Sequence, residues 1–151
     1  MGFETEVTNE GLGRLYDGFG GYWERGCLSE SIVLQTSLSP GVGTESTANL
    51  LPADAIIEAV TARVLTSLVD ATEWAVGDGT TATRFTYFNS TVAAGTTVVG
   101  LNHVIPDLGS PVVGGAQQTV AGKVVVTTAT TPSAGIVRVS VYFSRFVAPT
   151  G

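Results

Sequence analysis

The residue types that could carry out chemistry are few in this chain and widely spaced. His103 is the only histidine, so a Ser-His-Asp triad would need it as the base, with Asp107 as a neighbouring acid. The residues around His103 do not form a nucleophile elbow, and we interpret it as a surface residue at the end of a strand. The single cysteine, Cys27, excludes an internal disulfide bond and a cysteine-built zinc site. We interpret Cys27 as an inert small residue, with an intermolecular disulfide as the alternative.

Acidic residues occur at two places in the sequence where they could carry chemistry, either as a pair or in a turn. Asp54 and Glu58 lie four residues apart, which on a strand separates them by roughly 13 Å, farther than the carboxylate pairs of glycosidases. Asp78 stands in a Gly-Asp-Gly-Thr stretch that lacks the repeated Asp or Asn ligands and the final Glu of a calcium loop. A tight hairpin turn explains this stretch better. We therefore predict no catalytic residue, no metal ion and no cofactor, and we expect that the protein is not an enzyme.

The charge balance argues against two classes of partner. The chain has a net charge of −6 at pH 7, and its seven basic residues are scattered singly, so no basic stripe could neutralise a phosphate backbone. We expect no nucleic-acid partner. No run approaches the roughly 18 uninterrupted apolar residues of a membrane-spanning helix, and the acidic N-terminus has no signal-peptide core. We therefore expect no membrane partner and no signal peptide.

The composition predicts an all-β protein of one compact domain. The chain has 151 residues, of which 44% are apolar, and Val and Thr are each more frequent than the 19 Gly residues. Residues branched at Cβ pack well on a pleated sheet, whereas Gly serves turns and bulges. Short strand-like runs alternate with turn residues at the spacing of an antiparallel β-sandwich. The predicted strands are 31–38, 45–50, 56–68, 73–76, 83–88, 96–102, 117–120, 123–129 and 136–146.

Two of these runs show the alternation most clearly. In the run 56–68, one face carries the apolar side chains, with Glu58 as an exception; they are Ile56, Val60, Ala62, Val64 and Leu68. In the run 136–146, Val137, Val139, Val141 and Phe143 alternate with a second set that includes Arg138, Ser140 and Tyr142. The irregular stretch 104–115 is the longest loop, and we regard it as a candidate contact surface.

Residues 1–30 differ in composition from the remainder, and we predict two parts: an N-terminal arm over 1–30 and a β-sandwich domain over 31–151. Aromatic and apolar side chains after Asn9 recur at helical spacing and predict a short helix, although several Gly residues interrupt it. These side chains pack across one end of the sandwich or insert into a neighbouring subunit. The candidate attachment or oligomer contacts are Leu12, Tyr16, Phe19, Tyr22 and Trp23.

Two parts of the chain resemble a sequence pattern that recurs in a known protein family. The first comprises Leu51-Pro52-Ala53, residues 56–64, residues 71–77 (Ala-Thr-Glu-Trp-Ala-Val-Gly) and Arg84-Phe85; the second runs from Gly135 to Phe143, with Pro149 after it. They resemble the β-rich domains of virion proteins from phages and gene-transfer agents, notably head-spike and tail-fibre proteins. Asp54 stands where that family usually has a turn glycine, and Tyr142 where it frequently has a histidine. The resemblance does not extend to residues 1–30.

The resemblance implies a jelly-roll-like sandwich on a virion surface, commonly trimeric. We therefore expect a capsid-decorating or head-fibre subunit of a tailed bacteriophage, made in the host cytoplasm and located on the capsid or tail of the particle. Its partners would be sister subunits in a homo-oligomer and the major capsid protein or other virion proteins. One alternative is a tail-fibre or baseplate adaptor.

The second alternative is a carbohydrate-binding module that recognises a host surface glycan. Such a module needs exposed aromatic platforms, for which the candidates are Trp74, Tyr87, Phe88 and Tyr142. Of these, Trp74 and Tyr142 stand in strand patterns, and we expect both in the core rather than on the surface.

Overall fold

In residues 14–16, 21–101 and 117–149, the parts of the chain that the computed structural model describes, the regular elements are β-strands in two antiparallel sheets. The large sheet has the strand order β1-β2-β9-β4-β6, with β7 beside β4, and the small sheet has the order β3-β8-β5. The strands are β1 (Arg14–Tyr16), β2 (Tyr22–Val33), β3 (Thr44–Glu45), β4 (Ala55–Val69), β5 (Trp74–Gly77), β6 (Thr97–Leu101), β7 (Gln117–Gln118), β8 (Val125–Thr128) and β9 (Ala134–Val147). The predicted all-β sandwich is confirmed. Across these same residues there is no helix with the length and apolarity needed to cross a membrane.

The large sheet is built on β9, which lies between β2 and β4. It pairs with β2 without interruption from Tyr22 opposite Val147 to Val33 opposite Ile136. On its other side it pairs with β4 along most of that strand. The predicted alternation in β9 is confirmed, because Val137, Val139, Val141 and Phe143 are buried while the residues between them are half-buried or exposed.

The core lies between the two sheets. The inner face of the large sheet contributes the valines of β9, Leu28 and Ile32 of β2, and Val60 and Val64 of β4. The small sheet contributes Trp74 and Val76 of β5 and Val126 of β8, and Phe85 packs into the same cluster. The Trp74 indole N–H donates a hydrogen bond to the carbonyl oxygen of Thr91 at 2.9 Å, so the largest core side chain also leaves no unpaired polar atom.

A β-bulge in β4 changes which side chains reach the core. The register with β9 shifts between Ile57 and Ala59, so Glu58 is the extra residue. Before the bulge the buried positions are Ala55 and Ile57, and after it they include Val60 and Val64. The prediction that Ile56 faces the core is therefore wrong, whereas Val60, Ala62, Val64 and Leu68 are buried as predicted. The bulge also explains why Glu58 breaks the apolar pattern.

Where the first thirty residues are described, they form sheet strands over 14–16 and 22–30 rather than the predicted helix. Arg14–Tyr16 and Tyr22–Val33 are strands, so the helical spacing that ends at Trp23 does not correspond to a helix in these residues. Strand β2 also crosses the boundary predicted at residue 30, and residues 22–30 are part of the sandwich. The physical reason is the pairing with β9, because twelve consecutive residue pairs outweigh a weak local helical preference.

The predicted strand over 83–88 is also absent. The backbone N–H groups of Phe85 and Thr86 both donate to the carbonyl oxygen of Val76, at 3.0 and 3.1 Å, so the chain is not extended at that point. Only an isolated bridge between Asn89 and Trp74 continues the pairing with β5. The segment closes over the small sheet as a set of turns.

A buried carboxylate joins β2 to the segment that follows β3. Glu30 points into the interior and accepts hydrogen bonds from the backbone N–H of Thr47 (2.7 Å), the hydroxyl of Thr47 (2.8 Å) and the backbone N–H of Ala48 (3.0 Å). One side chain thus accepts three hydrogen bonds, which compensate the burial of its own charge. Glu30 therefore connects the large sheet to the chain that leaves the small one after β3.

Replacing this carboxylate tests the connection. Glu30→Gln puts an NH₂ group where an acceptor is needed, and we expect it to lower the free energy of unfolding by about 2–4 kcal/mol, measured by urea denaturation. The matched control is Glu73→Gln, because Glu73 is exposed and its side chain has no hydrogen bond in the described contacts. That variant should stay within about 0.5 kcal/mol of the parent. Equal effects of the two substitutions would show that Glu30 has no such role.

Candidate functional site

The two sheets differ in how completely their faces are covered. All residues of β5 and β8 are buried, so the small sheet is covered on both faces. In β9, by contrast, buried and accessible residues alternate, which means that the large sheet has one inner and one accessible face. We call the accessible side the outer face. Its described side chains include Trp23, Arg25, Cys27 and Ser29 on β2; Arg138, Ser140, Tyr142 and Phe146 on β9; Glu58, Thr61 and Arg63 on β4; and Thr97 and Val99 on β6.

One end of the outer face carries an aromatic patch, formed by Trp23, Arg25 and Phe146. Trp23 and Phe146 are paired across β2 and β9, with ring centroids 6.3 Å apart, and Phe146 is 68% exposed. The Arg25 guanidinium lies 5.2 Å from the centre of the Trp23 ring and also forms a 3.1 Å ion pair with Glu58. Aromatic rings and Arg are the side chains enriched at protein–protein contacts. The patch therefore has the composition of a docking surface.

A groove of about 770 Å³ opens beside this patch, where β4 begins and β9 ends. Phe146 lines it together with Ile56 and Asp54. The guanidinium of Arg145, which also lines it, is hydrogen-bonded to the buried carboxylate of Glu24. Arg145 thus neutralises a charge inside the sheet, and the groove walls combine the apolar side chains of Ile56 and Phe146 with the carboxylate of Asp54.

The other end of the outer face carries the arginine groove, formed by Thr61, Arg63, Thr97, Val99, Arg138 and Ser140. Arg63 and Arg138 are direct partners across β4 and β9. The groove has a volume of about 330 Å³. Arg138 donates a hydrogen bond to the hydroxyl of Ser29 at 3.2 Å. Because Arg138 and Phe146 are eight residues apart on one strand, the two ends of the outer face are separated by roughly 27 Å.

The predicted attachment residues fall at the aromatic end where they are described. Tyr22 begins β2 and pairs with Tyr16 of β1, and Trp23 is part of the aromatic patch. Leu12 and Phe19 lie outside the described residues. The same holds for His103, Asp107 and the loop predicted over 104–115. Phe146 and Arg25 were not predicted as site residues, because only the register between β2 and β9 brings them to Trp23.

Of the two aromatic residues predicted to lie in the core, one is buried and the other is exposed. Trp74 is fully buried, as expected. Tyr142 is 41% exposed, so its predicted core position is wrong; the alternation of β9 places it on the outer face with Arg138 and Ser140. Tyr87 is 74% exposed and Phe88 is 41% exposed, both in the turns that follow β5.

Cys27 lies on the outer face opposite Tyr142 and is half-buried, with a free thiol. Burial raises the pKa of this thiol above its ordinary value of 9.0, and the lowering effects of a hydrogen bond with Tyr142 and of the Arg138 charge are smaller. The thiolate is therefore disfavoured at neutral pH, which agrees with the interpretation of Cys27 as an inert residue. The intermolecular disulfide stays a prediction.

Asp54 and Glu58, which lie four residues apart in the sequence, occupy different structural elements. Asp54 occupies the turn before β4, with φ of 56°, and Glu58 stands in the bulge and pairs with Arg25. Across the described ranges, no group of three or more His, Cys, Asp and Glu side chains is placed to hold a metal ion.

Asp78 forms a tight turn, as predicted, but not a hairpin, because the strand predicted over 83–88 is absent. Its Oδ1 accepts hydrogen bonds from the backbone N–H groups of Thr80 (2.8 Å) and Thr81 (2.7 Å), and its Oδ2 accepts one from Arg84 (2.5 Å). The turn lies so close to Gly77 that a side chain there would overlap the Thr81 carbonyl. Burial alone raises the pKa of the Asp78 carboxyl, but these hydrogen bonds and the Arg84 charge outweigh it and hold the pKa below the ordinary 3.8.

The lowered pKa of Asp78 makes its contribution to stability pH-dependent. A carboxylate with a depressed pKa stabilises the folded state above its ordinary pKa, and that contribution is lost as pH falls through the folded-state value. We expect Asp78→Asn to lower the free energy of unfolding by about 1–2 kcal/mol at pH 7, with the difference from the parent shrinking below pH 3.8. Denaturant titrations at pH 7 and pH 3 measure it.

The matched control for this titration is Asp70→Asn, since Asp70 is exposed and no described group hydrogen-bonds its carboxylate. It should change stability by less than about 0.5 kcal/mol. A difference for Asp78→Asn that is the same at both pH values would contradict the assigned hydrogen bonds.

Comparisons with known proteins add no relative to these observations. The chain matches no family model, no curated protein and no solved structure. Its function is therefore argued from the outer face and from the positions that carry the resemblance.

Proposed function

We propose that this chain is a structural subunit on the surface of a tailed-bacteriophage particle, a capsid-decorating or head-fibre protein that assembles with copies of itself. The observation that carries the proposal is the uncovered outer face of the large sheet and the aromatic patch at its end. In this patch the Phe146 ring is 68% exposed and the Trp23 ring beside it is half-buried. Exposed apolar surface of this kind is typical of surfaces that dock to another protein. The occupant that we propose for the patch is a sister subunit in a homo-oligomer, with a trimer as the expected state.

The positions that carry the family resemblance support this proposal. Leu51 and Trp74 are fully buried, and the stretch from Gly135 to Phe143 is most of β9. Asp54, which stands where the family usually has a turn glycine, has a φ of 56°. This is the left-handed region that glycine favours and that Asp tolerates better than most residues. The turn before β4 therefore has the backbone shape that the family's glycine would provide.

The aromatic patch also lies where the N-terminal part of the chain enters the sheet. Tyr16 of β1 pairs with Tyr22, the residue before Trp23. Sister subunits that dock on the patch would thus contact the end of the large sheet at which β1 pairs with β2. This supports attachment through one end of the domain, with the rest of the sandwich directed outward. A tail-fibre or baseplate adaptor would use the same surface, and its location on the particle distinguishes it from a head protein.

The oligomeric state tests the role of the patch. We expect light scattering to give the purified chain about three times its 15.5 kDa mass. The double variant Trp23→Ser, Phe146→Ser should have the mass of a monomer, because it removes both rings from the contact. The control is Tyr87→Ser, since Tyr87 is about as exposed as Phe146 but lies in the turns after β5. A monomeric parent, or a double variant that keeps the parent's mass, would contradict self-association through this patch.

Particle attachment tests the virion assignment itself. Removing residues 1–30 would delete most of β2, so the informative truncation removes residues 1–13 and leaves all described strands. We expect imaging of the native particle to place the domain on its surface, and the truncated chain to occupy particles less than the full chain. Far-UV circular dichroism controls for folding of the truncated chain. A native particle without the protein would overturn the proposal, whereas density on the tail would favour the adaptor.

A further inference from the structure

The described basic side chains fall into two groups by their ion pairs. Four of them have a carboxylate partner: Arg25 with Glu58, Arg84 with Asp78, Lys123 with Glu45, and Arg145 with Glu24. Arg63 and Arg138 have no ion pair among the described residues. These two unpaired cations are also direct partners across β4 and β9.

Both arginines lie on the outer face. Their neighbours in sequence, Ala62 and Val64 for Arg63 and Val137 and Val139 for Arg138, are buried on the inner side. Directly opposite residues on one face have Cβ atoms about 5 Å apart, and like charges in this position destabilise the sheet. In a chain with a net charge of −6, two adjacent cations without a carboxylate form a local positive site. A bound anion would remove their repulsion.

The surroundings of the pair indicate the kind of anion. The arginine groove is lined by the hydroxyl side chains of Thr61, Thr97 and Ser140, and it is open to solvent rather than enclosed. Val99, 61% exposed, adds an apolar surface on the neighbouring strand. A sugar presents hydroxyl groups and apolar C–H faces, and a guanidinium binds a carboxylate through two parallel hydrogen bonds. The groove therefore offers complementary groups to a sugar that bears a carboxylate.

We propose that the arginine groove binds an acidic saccharide, with Arg63 and Arg138 holding the carboxylate of a uronic-acid unit. The hydroxyl side chains bind the sugar hydroxyls, and Val99 packs against the ring. A protein partner fits this end less well, because the described lining of the groove holds no aromatic side chain of the kind that anchors protein interfaces. The proposal goes beyond the structural role and does not depend on it, since the groove lies roughly 27 Å along β9 from the aromatic patch and stays open when the patch is covered.

The test is calorimetric titration of the full chain with trigalacturonic acid. Its neutral methyl ester has the same sugar units without the charge. We expect binding of the acid that weakens with added salt, and at least about tenfold weaker binding of the ester. Arg63→Gln and Arg138→Gln should each weaken binding of the acid by a similar factor. The control Lys123→Gln removes a cation that already has a carboxylate partner, Glu45, and lies in neither the groove nor the aromatic patch; it should bind like the parent.

Thermal unfolding separates loss of the site from loss of the fold. Because Arg63 and Arg138 repel each other, Arg63→Gln should leave the Tm unchanged or raise it. A purely structural arginine would lower the Tm on substitution. Equal binding of the acid and the ester, or unchanged binding by both arginine variants, would overturn the proposal.

A second outcome identifies a different occupant. If no saccharide binds and Arg63→Gln lowers the mass measured by light scattering, the groove is a contact between copies of the chain and the saccharide proposal is wrong. This result leaves the virion assignment intact, because that assignment is tested at the aromatic patch and on the particle. Conversely, a monomeric chain found on no particle could still bind the acid through this groove.

Discussion

The antiparallel pairing of β9 with β2 and β4 is the constraint on which the rest of the structure depends. Twelve residue pairs join β9 to β2, and a ladder of comparable length joins it to β4. Since side chains alternate along these strands, the pairing sends Val137, Val139 and Val141 into the core and Arg138, Ser140 and Tyr142 outward. The same register creates both ends of the outer face: Trp23 opposite Phe146, and Arg63 opposite Arg138.

The parts of the fold that follow from local pattern were predictable from the sequence. The valines of β9 alternate strictly, and the turn at Asp78 has the residues that such turns use. Strand β2 was predicted only from residue 31 onward, because its core-facing positions before that point include Glu24 and Glu30, which hide the apolar alternation. Arg145 hydrogen-bonds Glu24, and Thr47 and Ala48 hydrogen-bond Glu30; these contacts join segments far apart in sequence.

The candidate sites were less predictable than the fold, because they too depend on contacts between segments that are far apart in sequence. Trp23 belongs to a run of aromatic residues that suggested a contact surface, but its ring partner Phe146 lies at the other end of the chain. Arg63 and Arg138 are 75 residues apart in sequence, and each alone reads as an ordinary solvent-exposed arginine. The bulge at Glu58, which changes the inward residue from Ile56 to Ile57, leaves no local signal beyond one charged residue in an apolar run. Strand pairing, rather than any motif, creates these features.

The central claim is that the outer face of the large sheet is the functional surface of this domain, with a protein contact at one end and an open groove at the other. The most direct measurement is a high-resolution cryo-electron microscopy map of the domain in its native assembly. The account predicts that Trp23 and Phe146 are buried against a neighbouring subunit while Arg63 and Arg138 remain accessible. A map in which the small sheet makes the contacts and the whole outer face is left in solvent would contradict it.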